Sequence, residues 1–208
     1  MLTPDVIDRV KKADPDRYRA AMFADKDVRE SLLVFYAFHS ELAKIPELVS
    51  EPMLGAIRYQ WWRDCVDEIY TEKPVRRHEV ATPLAKVLRT SDVPRFWVDA
   101  LINGRERDID PRPFEDMSAA KQYCQDTSGQ LMQIALNLTG EESGHVMLLG
   151  QAWGLTGLAR GYRFYHDTML KAVSFSDISQ AAREDYDIVR SAITKMSTKA
   201  MPALGYGA

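Results

Sequence analysis

Cysteine is scarce in this chain of 208 residues: Cys65 and Cys124 are the only two, and no CxxC spacing occurs. That excludes a disulfide framework and a cysteine-based zinc site, and it fits a reduced, intracellular setting. Long apolar runs are missing as well, so no window reaches the length needed to cross a bilayer. Charge of one sign is not in excess. With 27 basic and 30 acidic residues the formal net charge is −3, which leaves no electrostatic footprint for nucleic acid, and no such partner is expected. No glycine-rich phosphate loop follows a strand, because no stretch alternates apolar and polar residues as a half-buried strand does. The opening run MLTPDVIDRVKKADPDRY has no apolar core and carries acids early, so neither a secretory signal nor a transit peptide is expected there. His39, His78, His145 and His166 are isolated from one another, with no second ligand at metal spacing and no serine–histidine–aspartate arrangement.

What is present is helical period from end to end. Apolar residues make up 46% of the chain and charged ones 27%, enough to build a sizeable core. Thr3-Pro4 opens a short helix to about Lys12, and Asp14-Pro15 opens another over 14–24. Asp25 or Asp27 caps a long helix through Leu32, Phe35, Tyr36, His39 and Leu42, which Pro46 kinks or ends. A partner helix starts at Glu51-Pro52 and runs to Tyr70, with Leu54, Ile57, Trp61, Cys65 and Ile69 on one stripe. Further helices are expected over 83–89, 94–108, 118–138 (stopped by Gly140), 142–163 and 177–196. The expectation is an all-α single domain covering 1–208, packed as a bundle, whose tail MPALGYGA is either a frayed end or the point where a final C-terminal helix is absent.

The stretch from Val34 to Tyr70 organises the rest. On periodicity alone, Phe35, Tyr36, Phe38, Tyr59, Trp61 and Trp62 read as core. Two acid pairs one turn apart, Glu47/Glu51 and Asp64/Glu68, are spaced to hold a divalent metal, although such a pair more often forms a solvated face that arginines such as Arg58 and Arg63 neutralise.

The runs YRAAMFADKDVRESLLVFYAFHSEL, EPMLGAIRYQWWRD, DTSGQL and LGQAWGLTGLAR, in this order, resemble the squalene/phytoene synthase family over about Asp14 to Arg163. The resemblance implies the all-α isoprenoid synthase bundle and an ancestral condensation of two prenyl diphosphates clamped by magnesium. It also places two aspartate-rich motifs. At the first, this chain has LAKIPE: Ala43 and Lys44 stand at the leading acid positions and Glu47 keeps a carboxylate. At the second, Gly161 and Tyr165 stand in the run LTGLARGYRFY, with Asp167 beyond. The likeness is strongest to the degenerate branch of mitochondrial complex I assembly factors, in AFHSELAKIPELVSEPMLGAIRYQWWRDCVDEIY and in the Arg160 to His166 end of the second motif.

Ionising a prenyl diphosphate requires cations bridging a highly charged leaving group, and metal ions need several oxygen ligands. The expectation is therefore a non-catalytic binding or assembly factor with no cofactor and no metal. It would act in the cytoplasm or peripherally at the inner face of the membrane, with a protein partner in respiratory-complex assembly and an isoprenoid or other lipid as ligand. Arg29, Tyr36, Phe38, Arg58, Gln60, Trp61 and Arg160 are the residues expected at the cavity or on phosphate. The alternative is an active prenyltransferase that uses magnesium on Glu47, Asp64, Glu68 and Asp167, which requires at least three of these acids to meet in one cavity.

Overall fold

A computed structural model describes residues 2–204, and among these no strand occurs. The chain runs α1 (Pro4–Ala13), α2 (Pro15–Ala21), α3 (Lys26–Lys44), α4 (Pro52–Tyr70), α5 (Ala81–Arg89), α6 (Arg95–Glu106), α7 (Met117–Cys124), α8 (Gln130–Leu138), α9 (Val146–Arg160), α10 (Tyr162–Tyr165) and α11 (Phe175–Ile193). Local chemistry sets most boundaries. The Thr3 hydroxyl and the carboxylates of Asp14 and Asp116 accept hydrogen bonds from backbone N–H groups at the starts of α1, α2 and α7. Asp116 thus caps α7, and the helix starts at Met117, one residue before the expected 118. Gly140 adopts φ +75° just past α8, a conformation that a glycine takes without steric cost. Pro46 ends α3 as expected, since the chain tightens into a 3-10 turn over Ile45–Leu48.

Three departures from the expected pattern matter for the site. The expected helix over 118–138 is interrupted by a π turn, Gln125–Gly129, between α7 and α8. The helix expected over 142–163 starts at Val146 and breaks at Gly161. The start of the tail, for which a frayed end was one of two expectations, is docked from Met201 to Leu204, with Pro202, Ala203 and Leu204 buried and the 3-10 turn Met201–Ala203 packed on α2 and α8. The last part of the tail, including Ala208, lies outside the described residues.

Helix α3 is the axis of the bundle. Leu32 to Phe38 are buried without a break, so the helix is covered almost all round, with α1, α2, α5, α6 and α8 packed against it. Phe35 and Phe38 are fully buried, and Phe38 meets Trp62 of α4 edge-on with ring centroids 5.1 Å apart. Truncating either phenylalanine should cost about 3–5 kcal/mol. The other anchor is α9, which packs on α7, α8, α11 and the π turn. Close approach explains two of its glycines: a Cβ on Gly150 would lie 2.4 Å from the Gly129 Cα, and one on Gly154 would lie 2.9 Å from the Cys124 Cβ. Two apolar clusters result. The larger is built around α3, α4, α5, α6 and α8, and the smaller joins Phe114, Tyr123 and Cys124 to Leu158, Leu170 and Ile178.

Candidate functional site

Between the two clusters lies a cavity of about 560 Å³, within the usual range for small-molecule sites. The end of α3 contributes Ala43, with Pro46 and Glu47 from the following turn; α6 and its 3-10 extension contribute Arg105 and Asp108. Tyr123 and Cys124 come from α7, Thr127 and Ser128 from the π turn, and Trp153, Gly154, Gly157 and Leu158 from α9. The segment after α9 closes the mouth with Phe164, Tyr165, Thr168 and Met169. Most of this wall is apolar.

Three of its polar side chains, Arg105, Asp108 and Tyr123, form one hydrogen-bonded network that reaches His39. The Arg105 guanidinium donates to Asp108 Oδ2 at 3.2 Å, to the Tyr123 hydroxyl at 3.3 Å, and from Nε to His39 Nε2 at 3.2 Å. The Tyr123 hydroxyl donates in turn to Asp108 Oδ1 at 2.7 Å. The backbone of Arg105 is fixed by Tyr59 of α4, whose hydroxyl lies 2.8 Å from the Arg105 carbonyl and 2.9 Å from that of Leu42. The second contact falls on a carbonyl that also accepts from the Ile45 N–H at the end of α3.

Because Arg105 has only donors, His39 Nε2 must accept, so the imidazole is neutral with its proton on Nδ1. Burial, reinforced by the Arg105 and Arg17 charges, holds its pKa well below the ordinary histidine value. Burial opposes the charge on Arg105, yet Tyr123 and Asp108 hold its pKa above the usual value. Burial drives the Tyr123 phenol upward and pushes the Cys124 thiol up to about 12, so the cavity cysteine is a protonated wall group and not a nucleophile. Arg105 spends its donors on neighbours within the wall. The network can orient a small polar group, while the volume suits an apolar body.

Of the positions singled out in the sequence, Ala43, Glu47 and Tyr165 line the cavity. Gly161 stands behind Tyr165, whose ring a Cβ there would meet at 2.7 Å. Lys44 closes α3 and is not among the lining residues, so the cavity meets a methyl group at this turn and not a cation.

The residues expected at the cavity or on phosphate are elsewhere. Tyr36 and Phe38 are buried in the larger core, on the sides of α3 that its neighbours cover. Arg29 donates to the Ala24 carbonyl at 2.9 Å and fastens the start of α3. Arg58 and Trp61 line a shallow outer groove with Leu48 and Ile57; Gln60 lies on the outer face of α4, bonded to Asp64 at 2.8 Å; and Arg160 projects outward, 3.7 Å from Asp16. For Arg58, Gln60 and Trp61 the cause is local: the exposed first turns of α4 carry an apolar stripe that looks like a core face when read without neighbours.

The acids named for magnesium do not converge. Glu47 faces the cavity, whereas Asp64 and Glu68 lie on the outer surface of α4 beside Arg76, which bonds Glu68 at 2.6 Å and holds its carboxyl below the usual range. Asp167 is exposed and pairs with His166 at 3.1 Å. Among the described residues no group of three or more histidines, cysteines or acids is placed to hold a metal ion. Sequence reasoning missed Arg105, Asp108, Tyr123 and Trp153. The i, i+3 spacing of Arg105 and Asp108 was a weak signal, but nothing in it pointed to His39 across 66 positions.

Residues 10–168 match a profile of the squalene/phytoene synthase family. The chain is similar to the bovine and human proteins named NADH dehydrogenase (ubiquinone) complex I, assembly factor 6. Identity to the bovine protein is 26% over 76% of this chain and 49% of that protein, and to the human protein 25% over 86% and 56%. The homolog from Dictyostelium discoideum is 26% identical over 77% of this chain and 46% of its own length. The chain thus spans about half the length of the curated relatives it matches. In fold it superimposes on a dehydrosqualene synthase crystallised in complex with a ligand, with a TM-score of 0.80 and 16% identity, covering 96% of this chain and 79% of that one.

Proposed function

We propose that this chain, which belongs to the squalene/phytoene synthase family, is a non-catalytic binding and assembly module: a pseudoenzyme that holds the family's bundle without its metal chemistry. The wall of the cavity carries this reading. At the two places where the family's acid motifs belong it presents Ala43 and Tyr165, and of the carboxylates that do line it, Asp108 is committed to Arg105 and Tyr123. A diphosphate leaving group needs several oxygen ligands around its cations, and Glu47 alone does not supply them. The alternative of an active prenyltransferase does not meet its own condition, since Asp64 and Glu68 share the outer face of α4 while Glu47 and Asp167 stand apart from them and from each other. Magnesium belongs to that alternative only.

In this reading the cavity takes the apolar chain of an isoprenoid or another lipid, with its polar end beside the Arg105 network. The likeness to complex I assembly factors supports a protein partner in respiratory-complex assembly, met in the cytoplasm at the inner face of the membrane. Deleting the gene in cells that encode the protein tests the assembly role. Assembled complex I and NADH:ubiquinone oxidoreductase activity should fall while succinate-driven respiration is maintained; an unchanged complex would overturn it. Mass spectrometry of copurifying lipids tests the cavity. Ala43 lines this cavity, so Ala43→Phe should narrow the chamber, and a lipid carried by the wild type should be depleted in the variant.

A further inference from the structure

The first two turns of α4 present an apolar face to solvent. Met53 is 73% exposed and Ile57 60%, and Leu54 is exposed beside them. Leu54 and Met53 stand three and four residues before Ile57, and Trp61 four after it, so helical spacing gathers all four on one side of α4. Leu48, itself exposed, joins Ile57 and Trp61 in lining one groove of about 310 Å³, together with the buried Ile45 and Trp62. Glu51 and Arg58 edge the same side: they are seven residues apart, so they lie two turns from each other along one line, with Leu54 between them. Both are exposed, and among the described residues neither forms an ion pair, whereas Arg63 and Arg76 are paired with Glu106 and Glu68. The other acids nearby have their own places. Asp64 lies 3.8 Å from Arg76, Glu47 faces the cavity, and Glu41 is half-buried in the groove wall, where its charge acts on Arg9.

We propose that this face joins two copies of the chain, with their α4 helices antiparallel across a two-fold axis beside Leu54. At a rise of about 1.5 Å per residue, Glu51 and Arg58 lie about 5 Å to either side of that point. The axis therefore brings Glu51 of each copy level with Arg58 of the other, on the same edge of the interface, and it does so twice. Leu54 meets its own copy at the centre, and Met53 of one chain comes alongside Ile57 of the other. A surface that carries opposite, unpaired charges at matching distances from an apolar centre is complementary to itself. An anionic bilayer would instead be repelled at Glu51. This goes beyond the cavity reading and does not depend on a lipid being held inside.

Light scattering and sedimentation equilibrium of the full chain over a concentration series test it. The wild type should move from monomer to dimer mass as concentration rises. Glu51→Arg and Arg58→Glu should each weaken the dimer about tenfold by setting like charges together, and the double swap Glu51→Arg/Arg58→Glu should restore it to within about threefold of the wild type. Met53→Asp/Ile57→Asp should leave a monomer. Leu54→Cys should crosslink into a covalent dimer under mild oxidation, and Gln60→Cys, which the axis carries away from its own copy, should not; Cys65 and Cys124 are buried and do not compete. The substituted side chains are exposed, so circular dichroism of the dilute variants should match the wild type. A wild type that stays monomeric at every concentration, a double swap no stronger than either single variant, or a Leu54→Cys chain that does not crosslink would overturn the proposal. So would phospholipid-vesicle binding by a monomeric chain that Met53→Asp/Ile57→Asp abolishes, since the face would then belong to a membrane.

Discussion

Two carboxylate surfaces of this molecule invite comparison: the wall of the cavity and the outer face of α4. On the outer face Asp64, Asp67 and Glu68 are set among Arg76, Lys73 and Arg95, each pair partly bathed by water. In the cavity wall Asp108 and Arg105 are each 16% exposed, Asp108 accepts from Arg105 and Tyr123, and Arg105 reaches on to His39. The spacing that suggests a metal site in the sequence belongs to the first surface, and the arrangement that shapes the interior belongs to the second. Regular acid spacing on a helix reports a solvated, arginine-balanced face. A buried polar site is assembled from positions far apart in the chain, and it matters more per residue because solvent cannot replace a lost partner.

The comparison can be broken by removing one cation from each side. Arg105→Ala leaves Asp108 enclosed and His39 without its donor, and should cost about 3–5 kcal/mol in denaturant unfolding. Equal costs for Arg105→Ala and Arg76→Ala would erase the distinction.

A pH series sharpens it. His39 has its folded-state pKa below the unfolded value, so below about pH 6.5 the unfolded chain binds a proton that the folded chain refuses. Stability contributed by the neutral imidazole is present above that pH and is lost as pH falls toward the folded pKa. The slope should approach one proton, about 1.4 kcal/mol per pH unit, and His39→Gln should flatten it. The same slope in both proteins would show that another group is responsible.

Arg76→Ala comes next, at less than about 1 kcal/mol, because its partners remain hydrated. The smallest effect is expected for Asp64→Asn/Glu68→Gln, which should change neither copurifying lipid nor the thermal midpoint in magnesium. A magnesium-dependent rise in the wild type that this variant abolishes would make the outer face a metal site after all.

Much of the helical order was legible because it rests on local rules. Pro46 removes a backbone donor and ends α3, Gly140 takes the left-handed turn after α8, and the all-α bundle follows from 3.6-residue periodicity. The π turn was not legible, since one extra residue over Gln125–Gly129 barely disturbs an apolar stripe while deciding how closely Gly150 meets Gly129. Ala43, Glu47 and Tyr165 were placed at the cavity by family resemblance, not by any pattern of their own. Arg58, Trp61 and Gln60 were misplaced because amphipathic spacing shows that a face exists without showing which neighbour covers it. The Arg105 network could not have been read at all: its members sit on α3, α6, the turn after it and α7, and only tertiary packing brings them together.

The central claim is that the bundle stands here without synthase chemistry, and one incubation tests it most directly. Purified protein is mixed with farnesyl or geranylgeranyl diphosphate, magnesium and NADPH, and the extract is analysed for C30 and C40 hydrocarbons. The expected result is no product above the protein-free blank at any magnesium concentration. Product formed over several turnovers per chain, and lost in Glu47→Gln, would contradict the account.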